Sequence, residues 1–162
     1  MRIGIISDTH GHVGYAQAAI DLLRNENVEA VLHCGDIGST SIIPLLADWP
    51  AHFVFGNVDH DRDVLAQAIQ DAGQTCHHRF GSLELASRKI AFLHSDDGIL
   101  FRQTIRSGDY DLVCYGHTHE AEQHQAGPTL VLNPGALYRA DPHSFAVVDL
   151  VTMEARHIAL PK

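Results

Sequence analysis

Short apolar runs, each closed by a small polar cluster, punctuate the chain. Ile3–Ile6, Ala30–Leu32, Phe53–Phe55, Ile90–Leu93 and Leu112–Tyr115 are of strand length and rich in β-formers and Leu. Such runs read as buried strands. In the first half they alternate with helix-period segments. The predicted order is strand Ile3–Ser7, helix Val13–Asn25, strand Glu29–His33, short helix Ser41–Trp49, strand Ala51–Phe55 and helix Asp61–Ala72. Ala16, Ala19, Ile20 and Leu23 fall on one face of the first helix, and Leu65, Ala68, Ile69 and Ala72 on one face of the third. Pro44 is expected in the first turn of the short helix, where a missing N–H is harmless. Gly73 ends the third helix.

The second half changes character. Gln74–Phe80, Leu83–Ala86 and Lys89–His94 read as successive strands, with turns at Gly81-Ser82 and Ser87-Arg88. A helix over Gly98–Ser107 stops at Gly108, and Asp111–Tyr115 is again a buried strand. Ala121–Ala126, Thr129–Asn133, Phe145–Leu150 and Met153–Ile158 follow as strands, with hairpin turns at Gly127-Pro128 and Val151-Thr152. Alternating β and α followed by antiparallel strands predicts an α/β fold of two sheets packed face to face, helices outside, in one domain over residues 1–162. The first strands should be parallel and central, and the last strands should build the partner sheet.

Charge narrows the partners. The chain has 20 acidic and 11 basic side chains, a net charge of −9, which argues against stable binding to nucleic acid or to an anionic membrane. No apolar run approaches the roughly 18 residues of a membrane span, and Met1-Arg2 leads straight into a strand rather than a signal peptide. Cys34, Cys76 and Cys114 are odd in number and unpaired in spacing, as free thiols in a reducing cytoplasm would be.

The polar clusters carry the chemistry. They are Asp8-Thr9-His10, Gly35-Asp36, Gly56-Asn57, His94 and Gly116-His117-Thr118-His119, each placed where a strand ends. Strand ends on one edge of a sheet converge, and loops there hold ligands. Asp8 and His10, two apart in extended chain, can face one ion together. Asp8, His10, Asp36, Asn57, His94, His117 and His119 offer carboxylate, amide and imidazole but no thiolate. That set disfavours structural zinc and suits Mn²⁺, Fe²⁺, Zn²⁺ or Ni²⁺. It exceeds the needs of one ion with an open position and fits two ions sharing a carboxylate. Paired divalent ions clamp the attacking and leaving oxygens of a phosphoryl displacement and lower the pKa of a shared water.

Asp8-x-His10, Gly35-Asp36, Gly56-Asn57-x-Asp59, His94 and Gly116-His117-x-His119, in that order, resemble the calcineurin-like metallophosphoesterases, and within them the small bacterial and archaeal phosphodiesterases. The likeness covers nearly the whole chain, including Ser7 to Gly11 and Asn133-Pro134-Gly135. It implies a four-layer α/β/β/α sandwich of two mixed sheets flanked by helices. It implies two divalent ions, Mn²⁺ foremost. Asp8, His10 and His119 would hold the first, Asn57, His94 and His117 the second, and Asp36 would bridge. Asp59 would support the ligands rather than join them. The implied activity is hydrolysis of a small phosphate ester, in first place a diester, by in-line attack of a metal-bound hydroxide, with Asp36, Asn57 and His94 acting through metal and phosphate positioning. A phosphomonoesterase or nucleotidase with the same centre is the alternative. A non-catalytic metal-binding interaction module is the alternative outside enzymes. Homo-oligomer formation is left open.

Three positions depart from the family pattern. Val58 stands where the larger family often has His, which supports protonation of the leaving group. His94-Ser95-Asp96 replaces His-Gly-His, and Ala136 follows Asn-Pro-Gly where Ser is usual. Among residues outside the motifs, His12, His60 and Arg62 are expected to be solvated. Arg139 is a candidate for either phosphate or a surface carboxylate. His77, His78, His124, His143 and His157 are expected on the surface.

Overall fold

The computed structural model describes residues 1–161. In chain order the elements are β1 (Arg2–Ile6), α1 (Val13–Leu23), β2 (Ala30–His33), β3 (Ala51–Phe53), α2 (Arg62–Asp71), β4 (Thr75–Cys76), β5 (Phe80–Leu85) and β6 (Arg88–Leu93). They continue with α3 (Gly98–Ser107), β7 (Leu112–Cys114), β8 (Ala121–Ala126), β9 (Thr129–Pro134), β10 (Ser144–Asp149) and β11 (Glu154–Ala159).

Two mixed sheets result, in the orders β11-β10-β1-β2-β3-β4 and β5-β6-β7-β9-β8. β1, β2 and β3 run parallel, as do β6, β7 and β9. Alternation of side chains across each strand then sorts the core into three seams. Ile3, Ile5, Leu32, Ala146 and Val148 of the first sheet meet Ile90, Phe92, Leu112, Cys114 and Leu132 of the second. The opposite face of the first sheet, through Ile6, Val31, Phe53 and Val147, packs on Ala16, Ile20 and Leu23 of α1 and Leu65 and Ile69 of α2. Leu93, Val113 and Val131 pack on Leu100, Phe101 and Ile105 of α3. Helix, sheet, sheet, helix is the expected four-layer order.

Four local expectations are corrected. β10 and β11 do not join the partner sheet. β10 pairs antiparallel with β1 and extends the first sheet, while only β8 and β9 of the late strands build the second. Gly81-Ser82 is not a turn. β5 runs through it, and the glycine leaves room for the Phe92 ring, which any Cβ there would overlap. Gln74–Phe80 is not one strand: it contributes the two-residue β4 and the first residue of β5. The segment Thr40–Leu46 is a 3₁₀ helix with Pro44 inside it, because proline supplies no N–H for an α-helical ladder. Of the histidines expected on the surface, His77, His143 and His157 are half-buried.

Candidate metal centre

The ends of parallel strands deliver every sequence-predicted ligand to one rim. Asp8 and His10 follow β1, Asp36 follows β2 and Asn57 follows β3, on the first sheet. His94 follows β6, and His117 and His119 follow β7, on the second. Asp8, Asp36 and His94 are buried, whereas His117 is exposed.

Distances define a cluster. Asp36 Oδ2 lies 3.2 Å from His94 Nε2 and 3.6 Å from His10 Nε2. Asp8 Oδ1 lies 3.2 Å from His119 Nε2, 3.8 Å from His10 Nε2 and 3.9 Å from His94 Nε2. Asn57 Oδ1 is 3.1 Å from His94 Nε2, and the His117 ring lies 5.0 Å from the His94 ring. Asp8, His10 and His119 form one group able to hold an ion, and Asp8, Asp36 and His94 another. The metal-free geometry thus shares Asp8 between the groups, whereas the family resemblance gives the bridging role to Asp36. His117 and Asn57 stand beside these two groups rather than within them.

Four features fit these residues to divalent cations. Asp8 Oδ1 is buried without a hydrogen-bond partner, while Oδ2 accepts from Ser7 Oγ at 2.6 Å and from the His117 backbone N–H at 3.1 Å. An orphaned buried carboxylate oxygen is costly unless a cation takes it. The imidazoles are oriented too. His94 Nδ1–H donates to the Cys34 carbonyl at 2.9 Å and His119 Nδ1–H to the Arg139 carbonyl at 3.2 Å, so both turn Nε2 toward the carboxylates. Such carbonyl support fixes the tautomer of a metal-ligating His. Backbone strain collects here as well: Asp8, His10, Asp36, His117 and His119 have φ of 55°, 46°, 54°, 76° and 62°. L-residues adopt that region at a cost, and it recurs where side chains must be aimed. Finally, a Cβ at Gly56 would overlap Asp36 Oδ1 and one at Gly116 would overlap Ser7 Oγ, so these glycines let backbone approach the carboxylates.

Electrostatics follow the same lines. Burial opposes ionisation of Asp8 and Asp36. The imidazoles of His119 and His94, with the Ser7 hydroxyl and the Val58 N–H, outweigh it and hold both carboxyls below the usual range. Burial also opposes protonation of His94, but the two carboxylates raise its pKa. For His119 the Asp8 carboxylate dominates and raises it. His10 is lowered, mainly by burial. The carboxylates that raise the pKa of His94 and His119 would equally favour divalent cations at this rim.

Asp59 supports rather than joins the cluster. Its carboxylate accepts from the backbone N–H of Ile37, Gly38 and Gly56 at 3.2, 2.9 and 2.8 Å, which ties the Asp36 loop to the Asn57 loop. Arg62 donates from Nε to the Asp59 carbonyl at 3.0 Å. Sequence reasoning missed His33. It ends β2 fully buried, and Gly35 N–H donates to its Nδ1 at 3.2 Å, so the ring is the Nε2–H tautomer and donates to Thr9 Oγ1 at 2.9 Å. Thr9 in turn donates to the Ile37 carbonyl at 2.9 Å. A histidine closing an otherwise apolar run was the available signal, because a buried ring must find partners. Beyond Asn57 the Val58 side chain faces a cleft of about 370 Å³ lined also by Ser39, His60, Asp61, Val64 and Leu65.

A four-layer sandwich carrying a carboxylate–imidazole–amide cluster at its strand ends defines a class of metal-dependent hydrolases. The family model of the calcineurin-like phosphoesterase superfamily domain matches residues 1–153. The chain belongs to that family, and is a phosphoester hydrolase of the metallophosphoesterase kind. It is 34% identical to the phosphodiesterase MJ0936 of Methanocaldococcus jannaschii over 99% of each chain. It is 30% identical to the probable metallophosphoesterase YsnB of Bacillus subtilis, over 85% of this chain and 75% of that one. The solved structure of a novel archaeal phosphodiesterase, 34% identical, superposes with a TM-score of 0.91 over 99% of this chain and all of that one.

Proposed function

We propose that this protein is a phosphodiesterase for small phosphate esters that works with two divalent ions, Mn²⁺ foremost. Asp8, His10 and His119 hold one ion, Asn57, His94 and His117 the other, and Asp36 stands between them. The observation that carries this reading is the buried, unpartnered Asp8 Oδ1 ringed by His10, His94 and His119 within 3.9 Å. When bound, paired divalent ions supply Lewis acidity and a water-derived nucleophile near neutral pH. The chain's own residues do the rest. Asp59 and His33 hold the loops in register, and the carbonyls of Cys34 and Arg139 keep two imidazoles aimed. The name of the relative from Methanocaldococcus jannaschii supports a diester rather than a monoester substrate.

Of His12, His60 and Asp96, the side chains that could protonate a leaving group in place of Val58, two are engaged elsewhere and His60 lines the cleft beside Val58. Val58 is aliphatic, Asp96 is engaged by Arg79 at 2.7 Å, and His12 Nδ1 accepts from the Tyr15 N–H at the start of α1. Aryl esters should therefore turn over much faster than alkyl ones. We place the protein in the cytoplasm on its three free cysteines, Cys34, Cys76 and Cys114; no helix among the described residues is long and apolar enough to cross a membrane.

The test is turnover of bis(p-nitrophenyl) phosphate and p-nitrophenyl phosphate by metal-stripped protein reloaded with Mn²⁺, Fe²⁺, Zn²⁺ or Ni²⁺, alongside elemental analysis. Two ions per chain and a higher kcat/KM for the diester are expected. A stoichiometry of one, or a monoester preference, would overturn the proposal.

A further inference from the structure

Beside the His10/His119 end of the cluster the surface carries a continuous row of rings. His10 lies 5.9 Å from Tyr138, Tyr138 stacks on His12 at 5.1 Å and 20°, His12 stacks on Tyr15 at 4.3 Å and 23°, and Tyr15 lies 4.0 Å from His143. Core packing does not explain it. His12 and Arg139 are exposed, Tyr15 is 36% exposed, and the neighbouring Val13 is 42% exposed.

Arg139 gives this row a charge. Its guanidinium lies over the Tyr138 ring, 5.4 Å from the centroid. Its field reaches His10, and its carbonyl is the acceptor for His119. Arg2, Arg24, Arg79, Arg88 and Arg156 all pair with carboxylates, and Arg62 binds backbone carbonyls. Arg139 is set apart from them by its place over Tyr138 and by the support its carbonyl gives His119. In a chain with a net charge of −9, a cation at the rim of a carboxylate cluster is conspicuous.

We propose that Tyr138, Arg139 and His12 form a substrate subsite that holds the planar aromatic ester group of a phosphodiester, a nucleobase or aryl ring, with Arg139 gripping a phosphate oxygen. This rests on the phosphodiesterase reading above and names its substrate class. A guanidinium over a tyrosine ring offers a flat cationic surface suited to a π-system next to an anion. The far end of the cluster is different in kind. The cleft there carries Asp61 and the aliphatic Val58 and Val64, which suit an uncharged ester group. The two ends thus sort the two ester arms of one substrate.

The experiment holds the leaving group constant and varies the retained arm. Thymidine 5′-(p-nitrophenyl) phosphate and methyl p-nitrophenyl phosphate are compared on wild type, Tyr138→Ala, Tyr138→Phe, Arg139→Ala and Arg139→Lys, each loaded with Mn²⁺ and checked for fold by circular dichroism. Wild type should favour the nucleoside diester roughly tenfold in kcat/KM, within the range of one base stacked on one side chain. Tyr138→Ala should collapse that preference through KM, and Tyr138→Phe should keep it. Arg139→Ala should raise KM for both esters, with partial recovery in Arg139→Lys. Mn²⁺ affinity by calorimetry should stay within twofold in all four variants, which separates a substrate subsite from support of the cluster. No wild-type preference, or one that survives Tyr138→Ala, overturns the subsite. If neither diester turns over, the phosphodiesterase reading fails. Binding of thymidine 5′-phosphate against methyl phosphate, followed by Tyr138 and His12 resonances, then decides the subsite by itself: tighter thymidine 5′-phosphate binding lost in Tyr138→Ala supports it, and equal binding overturns it.

Discussion

The two sheets feed the same rim but prepare it differently. The first supplies both carboxylates, Asp8 and Asp36, buried and already gripped by Ser7 Oγ and the N–H groups of His117 and Val58. Its loops are cross-tied by Asp59 and by the His33–Thr9 pair. The second supplies three imidazoles with a gradient of restraint. His94 is buried and carbonyl-bound, His119 is carbonyl-bound but half-exposed, and His117 is exposed. The difference teaches that the fold fixes the two carboxylates, whereas restraint on the imidazoles of the second sheet falls off from His94 to His117.

The sharpest break of that comparison is Asp36→Ala against His117→Ala. Removing the carboxylate between the two ion positions should empty both and lower kcat/KM roughly 10³-fold, a loss of several kcal/mol of charge stabilisation. Removing the exposed imidazole should leave one ion per chain. Elemental analysis with Mn²⁺ in the buffer distinguishes them, and equal metal loss in both variants would erase the distinction between the halves.

His33 probes the same half through pH. Burial pushes its pKa from 6.5 down to about 4, against the pull of the nearby carboxylates. The folded state therefore binds this proton less readily than the unfolded state. The stabilising contribution is complete above about pH 6.5, shrinks as pH falls and is gone near pH 4, a swing of about 3 kcal/mol. Urea unfolding of metal-free protein at pH 7 and pH 4.5, compared with His33→Gln, should show a flatter profile for the variant. Parallel profiles would mean that the ring is protonated in the fold.

Asp59→Ala comes next. Three backbone N–H groups lose their acceptor, and loop supports of this kind are worth about 10–100-fold in metal affinity. Calorimetric titration with Mn²⁺ should show that loss, and Asp59→Asn should recover part of it. Smallest is Ser95→Gly. Ser95 sits at φ 79°, the conformation that the family's usual glycine adopts freely, and its Oγ donates to the Gly116 carbonyl at 3.2 Å. Relief of backbone strain and loss of that bond nearly cancel, leaving a gain of under about 1 kcal/mol in thermal unfolding.

Much of this was legible because burial and chemistry alternate so sharply along the chain. The apolar runs before Asp8, Asp36, Asn57, His94 and His117 located the strands, and the helical spacing of Ala16 to Leu23 and Leu65 to Ile69 located α1 and α2. What escaped is what periodicity cannot encode. β10 seeks out β1 across the whole chain, a choice set by which strand edge remains open. The Gly81 passage looked like a turn because the Phe92 ring that fills the gap arrives from another strand. His33 read as a strand residue because its partners, Thr9 and Gly35, become neighbours only in the fold. The left-handed backbone at Asp8, His10, Asp36, His117 and His119 leaves no trace in residue type, and it is what aims the cluster.

The pairing of β1 with β10 sets a timetable for the molecule's birth on the ribosome. Arg2–Ile5 lies against Ala146–Asp149, so β1 waits for a strand made long after it. Until residues 144–159 emerge, β1, which leads into the loop bearing Asp8 and His10, has an open edge on one side. Such long-range closure is slow compared with local pairing. A nascent chain should therefore gain its β6–β7 unit before it completes the pairing of β1, and a chain stalled before β10 would offer a bare β1 edge to neighbours.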